Sequence, residues 1–207
     1  MTKSETTHQR ILWRGLEIVS ERGLGGVSLG GLADRSGMSK SGLFAHFRSK
    51  EELQVELLRA AESALRREVV DPVVDVADGL PRLRALVGRW LGWAARSGLS
   101  GGCPLYAAAF ELDDAEEGAV RDFLMRSKGE WSGMLEGLVR KAVNLGHLRE
   151  DLDAAQFVWQ LDGIYLSHHV SQRLMRDPDA DARALTAFEK LVTSSLPGRK
   201  ARPERRP

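Results

Sequence analysis

The chain has 207 residues and a mass of 22.9 kDa, with 43% hydrophobic and 29% charged residues, which suits a globular protein able to bury its core without disulfide or metal staples. One cysteine, Cys103, excludes an intramolecular disulfide, and the absence of any long apolar run, at Met1 or elsewhere, predicts a cytoplasmic protein with no membrane span. The net charge of +1 leaves a nucleic-acid partner open, because such a partner responds to cations clustered on one surface rather than to their total.

Apolar residues recur at helical spacing almost throughout, with no convincing period-two run, so the fold is expected to be all-α. The first helix carries Ile11, Leu12, Gly15, Leu16, Ile18 and Val19 on one stripe and stops at Arg22-Gly23. Ser28 and Ser39 suit the N-caps of two short helices, about 28–36 and 39–46, with Gly37 between them. Ser49 and Glu52 form a capping box that starts a fourth helix, which should run toward Val69 until Asp71-Pro72 breaks it. A fifth helix is predicted from Pro81 to about Ser97, ended by a flexible connection at Gly98–Gly102, and Cys103-Pro104 opens the next. A long amphipathic segment follows from about 116 to 144, and helices near 153–176 and 179–195 bring the number to nine. Beyond it lie Arg199, Lys200, Arg202, Arg205 and Arg206 among prolines, a basic tail over 197–207 with too few apolar groups to order.

Residues 28–47 meet the needs of a helix-turn-helix. Leu29, Leu32, Ala33, Met38, Leu43 and Phe47 can form its mini-core, Gly37 allows the turn, and Lys40, Ser41 and Ala45 face outward, placed to enter a major groove. Lysine donates to guanine acceptors, a short alanine can meet a thymine methyl, and Lys50 with the helix N-termini can anchor phosphates.

The run from Ser28 to Phe47, SLGGLADRSGMSKSGLFAHF, followed by Lys50-Glu51-Glu52-Leu53, resembles the signature of the TetR family of transcriptional regulators. Gly102-Cys103-Pro104, Glu111-Leu112-Asp113-Asp114 and Val120-Arg121 resemble the C-terminal domain of one branch of it. The resemblance implies a nine-helix architecture with a DNA-binding domain over 1–52 and a ligand-binding and dimerisation domain over 53–196. It further implies a homodimer whose recognition helices occupy successive major grooves of palindromic operator DNA, released by a small-molecule effector. Carried over by position, Lys40, Ser41 and Gly42 contact bases or the groove, and Ser28, Ser39, Phe44, His46 and Lys50 contact the DNA backbone. Phe44 stands where the family often has tyrosine, so a phosphate-binding hydroxyl is missing, and Gly30-Gly31 replace better helix formers.

Trp90, Trp93, Tyr106, Phe110, Phe123, Trp131, Trp159 and Tyr165 concentrate ring area in the C-terminal domain, where a helical bundle can hold an apolar ligand. Trp90, Trp93, Cys103, Phe110, Trp131 and Tyr165 are the candidate ligand contacts, Trp90 and Trp93 sharing a face of the fifth helix, Trp131 facing them in the family's arrangement, and the effector being largely apolar. Core packing is the competing role for each ring, and an inert buried thiol the competing role for Cys103. His168 and His169 point roughly 100° apart on a helix and cannot share one ion from one face, so one buried and one exposed histidine is expected. His147 and the acidic run Asp113, Asp114, Glu116 and Glu117 fit solvated loop and helix-start positions better than metal ligation. Dimerisation should use the last two helices, through Leu161, Ile164, Leu166, Val170, Leu174, Leu185, Phe188 and Leu191.

No nucleophile beside an ordered base, phosphate loop or metal set can be assigned, so neither catalysis nor a cofactor is expected. A ligand-responsive repressor is the leading reading. The alternatives are a transcriptional activator or ligand-independent DNA-binding regulator of the same fold, and an adaptor that has lost DNA binding.

Overall fold

Glycine at position 15 lets the first two long helices approach closely. In the computed structural model, which describes residues 3–114 and 117–198, a Cβ on Gly15 would fall 2.4 Å from Leu57 Cδ2. Those helices are α1 (Lys3–Arg22) and α4 (Lys50–Leu65), and Ile11, Leu16, Val19, Leu53, Leu57, Leu58 and Ala61 close the layer between them. Between them in sequence lie α2 (Leu29–Ser36) and α3 (Lys40–Phe44). The helical path then widens into a π turn at Arg66–Val70 and a 3-10 turn at Asp71–Val73, ending where Pro72 removes a backbone donor. The Glu68 carbonyl in the π turn accepts from Arg89 Nε at 2.8 Å.

The segment expected as one fifth helix is two: α5 (Leu80–Trp90) and α6 (Trp93–Arg96). Gly92 adopts the left-handed region at φ 68°, which breaks the hydrogen-bond ladder and accounts for a tenth α-helix among the described residues. Trp90 and Trp93 therefore end one helix and begin the next rather than sharing a helix face. The remaining elements are α7 (Pro104–Glu111), α8 (Ala119–Asn144), α9 (Ala154–Arg173) and α10 (Ala180–Ser194). No described helix is long and apolar enough to cross a membrane, and no strand occurs among the described residues. Glu116 and residues 199–207 of the expected tail lie outside the described residues.

The fold divides into two compact units. One takes residues 1–74 and 89–131, so that α7 and the start of α8 share a unit with α1 to α4. Here α7 packs on both α1 and α4, and Glu51 Oε1 of α4 caps α8 by accepting from Ala119 N at 3.1 Å. The connection at 98–102, expected to be flexible, is packed instead, with Leu99 and Gly101 buried.

The second unit takes residues 75–88 and 132–207. Its α9 and α10 pack along each other through Phe157, Leu161, Tyr165, Ala184, Phe188 and Val192. His168 Nε2 lies 2.6 Å from Asp181 Oδ1, tying the two helices together. Of the histidine pair expected to be one buried and one exposed, His168 is buried but His169 is half-buried rather than exposed. His147 is a structural acceptor rather than a solvated loop residue, its Nδ1 taking the Leu80 N–H at 3.2 Å where α5 begins.

Candidate nucleic-acid interface

Three serine caps assemble the site. Ser28 Oγ accepts from Gly31 N at 3.0 Å, which pins the first turn of α2 although that turn contains two glycines. Gly37 follows at φ 64° and closes α2, its N–H reaching the Ala33 and Asp34 carbonyls, while Met38 N returns to Ala33 O at 3.0 Å. Ser39 Oγ then accepts from Gly42 N at 3.1 Å and starts α3. The third cap is Ser49, accepting from Glu52 N at 3.0 Å. Its reciprocal bond differs by one residue from the expected box, since Glu52 Oε2 takes the Arg48 N–H at 2.6 Å rather than that of Ser49.

The mini-core closes much as its spacing predicts. Leu32, Ala33, Leu43 and Phe47 are buried, with Leu29 and Met38 half-buried at its edge. Burial of Leu43 and Phe47 turns the opposite side of α3 to solvent, where Lys40, Ser41, Phe44 and Ala45 stand exposed. Lys40, Ser41 and Phe44 thus form one outward surface, while Gly42 is half-buried beneath the Ser39 cap and offers backbone alone. Ser39 and Ser41 hydroxyls lie 3.2 Å apart, so each can orient the other toward an acceptor. Phe44, at 53% exposure, presents a bare ring. Ser28 and Lys50 are exposed at the starts of α2 and α4, where a phosphate would meet helix N-termini.

Two features had no sequence signal because they depend on tertiary contact. The stem of Lys40 lies across α2, so that a Cβ on Gly30 would come within 3.3 Å of its Cε. The glycine that weakens the helix also gives the proposed groove-reading lysine its bed. His46 is half-buried, its ring centroid 5.7 Å from that of His8 on α1, with Phe47 5.1 Å from His8.

The aromatic residues fall into three environments. In the first unit Trp90, Trp93 and Cys103 are buried, and Trp131 meets Trp90 edge-on at 5.1 Å between ring centroids. Trp131 Nε1 is buried without a hydrogen-bond partner among the described residues, an unsatisfied donor of the kind native cores seldom leave. Phe110 is 52% exposed, its ring 6.2 Å from that of Tyr106. Tyr165 is buried in the second unit beside His168.

Of the residues expected to pair two copies, Leu161 and Phe188 are buried between α9 and α10 of the same chain. Ile164, Leu166 and Leu191 are half-buried, and Val170, Leu174 and Leu185 are exposed. Trp159, expected among the cavity aromatics, is 71% exposed, and Leu174 77%. Trp159, Gly163 and Val170 of α9, with Leu174 just past its end, fall at helical spacing on one outward stripe.

Residues 11–57 match the family model for bacterial regulatory proteins of the tetR family. Residues 79–188 match that for the tetracyclin repressor-like C-terminal domain. Among solved structures, a TetR transcriptional regulator from Chloroflexus aurantiacus superposes with a TM-score of 0.85 at 21% identity, covering 95% of this chain and 98% of that one. A transcriptional regulator from Saccharomonospora viridis in complex with choline gives 0.77 at 20% identity over 92% of this chain and 97% of its own. AibR in complex with isovaleryl coenzyme A and operator DNA gives 0.67 at 21% identity over 92% and 98%. No curated protein matches the sequence.

Proposed function

Since the chain belongs to the TetR family of bacterial regulatory proteins, we propose that it is a ligand-responsive transcriptional repressor. It binds palindromic operator DNA as a homodimer and leaves it when a small molecule is bound. The observation that carries this reading is the outward surface of α3, where Lys40, Ser41 and Phe44 are exposed over a capped and packed helix-turn-helix. Lys40 and Ser41 reach base edges. Ser28, Ser39, His46 and Lys50 hold the phosphates on either side, and Phe44 adds apolar contact in place of a hydroxyl.

A homodimer is favoured by the stripe of Trp159 and Val170 on α9 and Leu174 at its C-cap, continued by Leu185 on α10, apolar area of the kind an obligate interface covers. A two-fold dimer matches a palindromic operator, whose half-sites are centred about 34 Å apart when the recognition helices occupy successive major grooves.

The effector site is assigned to the first-unit aromatics Trp90, Trp93, Phe110 and Trp131 together with Cys103. Trp131 supports this choice, because a ligand carrying a carbonyl or ether oxygen would satisfy its orphan N–H while its apolar body lies against Trp90. Choline in the Saccharomonospora viridis regulator and isovaleryl coenzyme A in AibR show how different the molecules held by such folds are.

Transcription in vitro from a promoter overlapping an operator selected from random duplexes with the full-length protein tests the proposal. The expected result is a transcript yield that falls as protein is added and recovers with a compound that quenches tryptophan fluorescence and weakens operator binding. A yield that rises with protein identifies an activator instead. A tight ligand that leaves operator affinity unchanged is not the inducer.

A further inference from the structure

The turn between α1 and α2 decides where the helix-turn-helix begins, and a side chain from far along the sequence holds it. Leu24 N donates to Glu111 Oε2 and Gly25 N to Glu111 Oε1, each at 2.6 Å. Two successive backbone donors on one carboxylate make a pair of charge-assisted bonds that fix position in two directions, which a single bond would not. The fit is close: a Cβ on Gly23 would stand 2.4 Å from Glu111 Oε2, and one on Gly25 2.7 Å from Oε1.

A second hold lies at the other end of α7. The connection leading into it passes so near α1 that a Cβ on Gly101 would fall 2.0 Å from the Ser20 carbonyl carbon and oxygen. Ser20 Oγ also donates to Gly102 O at 2.9 Å. The end of α1 and the turn after it are thus gripped at Ser20 by the approach to α7 and at Leu24 and Gly25 by its last residue.

We infer that Glu111 is the positioning residue through which α7 sets the helix-turn-helix for operator binding. The inference rests on the proposed DNA-binding function. Glu111 acts through the turn rather than by touching DNA.

The test compares the full-length wild type with Glu111→Gln, which keeps the side chain's shape but replaces one acceptor oxygen by an amide that repels the second N–H. Operator affinity is read by fluorescence anisotropy on a site selected with the wild-type protein, and backbone order by amide hydrogen exchange. The expected result is operator binding about fivefold weaker, with faster exchange at 24–25 spreading through 28–47 and unchanged exchange over 154–194. Gly101→Ala, which wedges α7 away from α1 at the other hold, should weaken binding as well, and adding Glu111→Gln to it should cost less than Glu111→Gln costs alone. Glu111→Gln affinity within twofold of wild type overturns the inference. So does a loss accompanied by faster exchange everywhere, which marks a general stabilising role. Failure of the wild type to select any operator overturns the DNA-binding reading instead, and the exchange at 28–47 then judges the Glu111 hold by itself.

Discussion

Lys50 carries a charge at the first turn of α4, where Glu51 is engaged with Ala119 and Glu52 with Arg48. Its contribution to operator binding should be electrostatic and independent of sequence. Lys50→Ala is expected to weaken binding to all DNA alike and to lower the slope of log affinity against log salt by about 2 per dimer, one per protomer. An unchanged slope removes Lys50 from the contact surface. His169 offers a second residue-level test. Burial chiefly, with help from Arg173 and His168, holds its pKa below the ordinary histidine value. The unfolded chain therefore takes up this proton first. The stability that neutral His169 confers is full above about pH 6.5 and declines as pH falls below that, until the folded protein is protonated too. Urea midpoints measured from pH 8 to pH 5 should fall less steeply for His169→Gln than for wild type. Residues of this scale were legible in the sequence where their role is local, as at the Ser28 and Ser39 caps. Glu111 was not, because its partners lie 86 and 87 positions away and an acidic residue at a helix end reads as solvated.

At the scale of elements, α3 is five residues long and depends on its caps more than a longer helix would. Ser39→Ala should cost about 1 kcal/mol of stability and, by fraying the surface that bears Lys40 and Ser41, weaken operator binding more than non-specific binding. Gly37→Ala meets no steric obstacle but forces a side chain into the left-handed region, a cost of about 1–2 kcal/mol measurable by chemical denaturation. The helix-turn-helix was readable from sequence because a small residue, a cap and an apolar spacing all act within some twenty positions. The break at Gly92 was not, since glycine inside a helical pattern is tolerated often enough that only the backbone conformation reveals the interruption. With that break, the relation assumed between Trp90 and Trp93 on one helix face was lost, though both remain buried. The glycine run before α7 had the same ambiguity. Composition suggested flexibility, while Gly101 serves close packing against α1.

Across the whole molecule, helical periodicity was enough to establish an all-α fold, but the compact units are discontinuous in sequence and could not be read from composition shifts. The surface proposed to pair two copies draws on spacing and exposure alone. Spacing selects apolar positions on α9 and α10 without telling which face the neighbouring helix covers, so Leu161 and Phe188 proved internal and Trp159 external. Trp159→Glu combined with Leu174→Glu should leave the helical fold intact, since both side chains are exposed, and convert a micromolar dimer to monomer in sedimentation velocity. An unaltered dimer would place the interface elsewhere. Loss of the dimer should also abolish tight operator binding, because one recognition helix holds only half a site. All of this depends on the α3 surface reading DNA, and selection of bound fragments from random duplexes by the full-length protein tests that most directly. The expected result is enrichment of an inverted repeat whose half-sites are centred about one helical turn apart, with Lys40→Ala relaxing the preference inside each half-site. Recovery of no common sequence, or of an asymmetric one unaffected by Lys40→Ala, would contradict it.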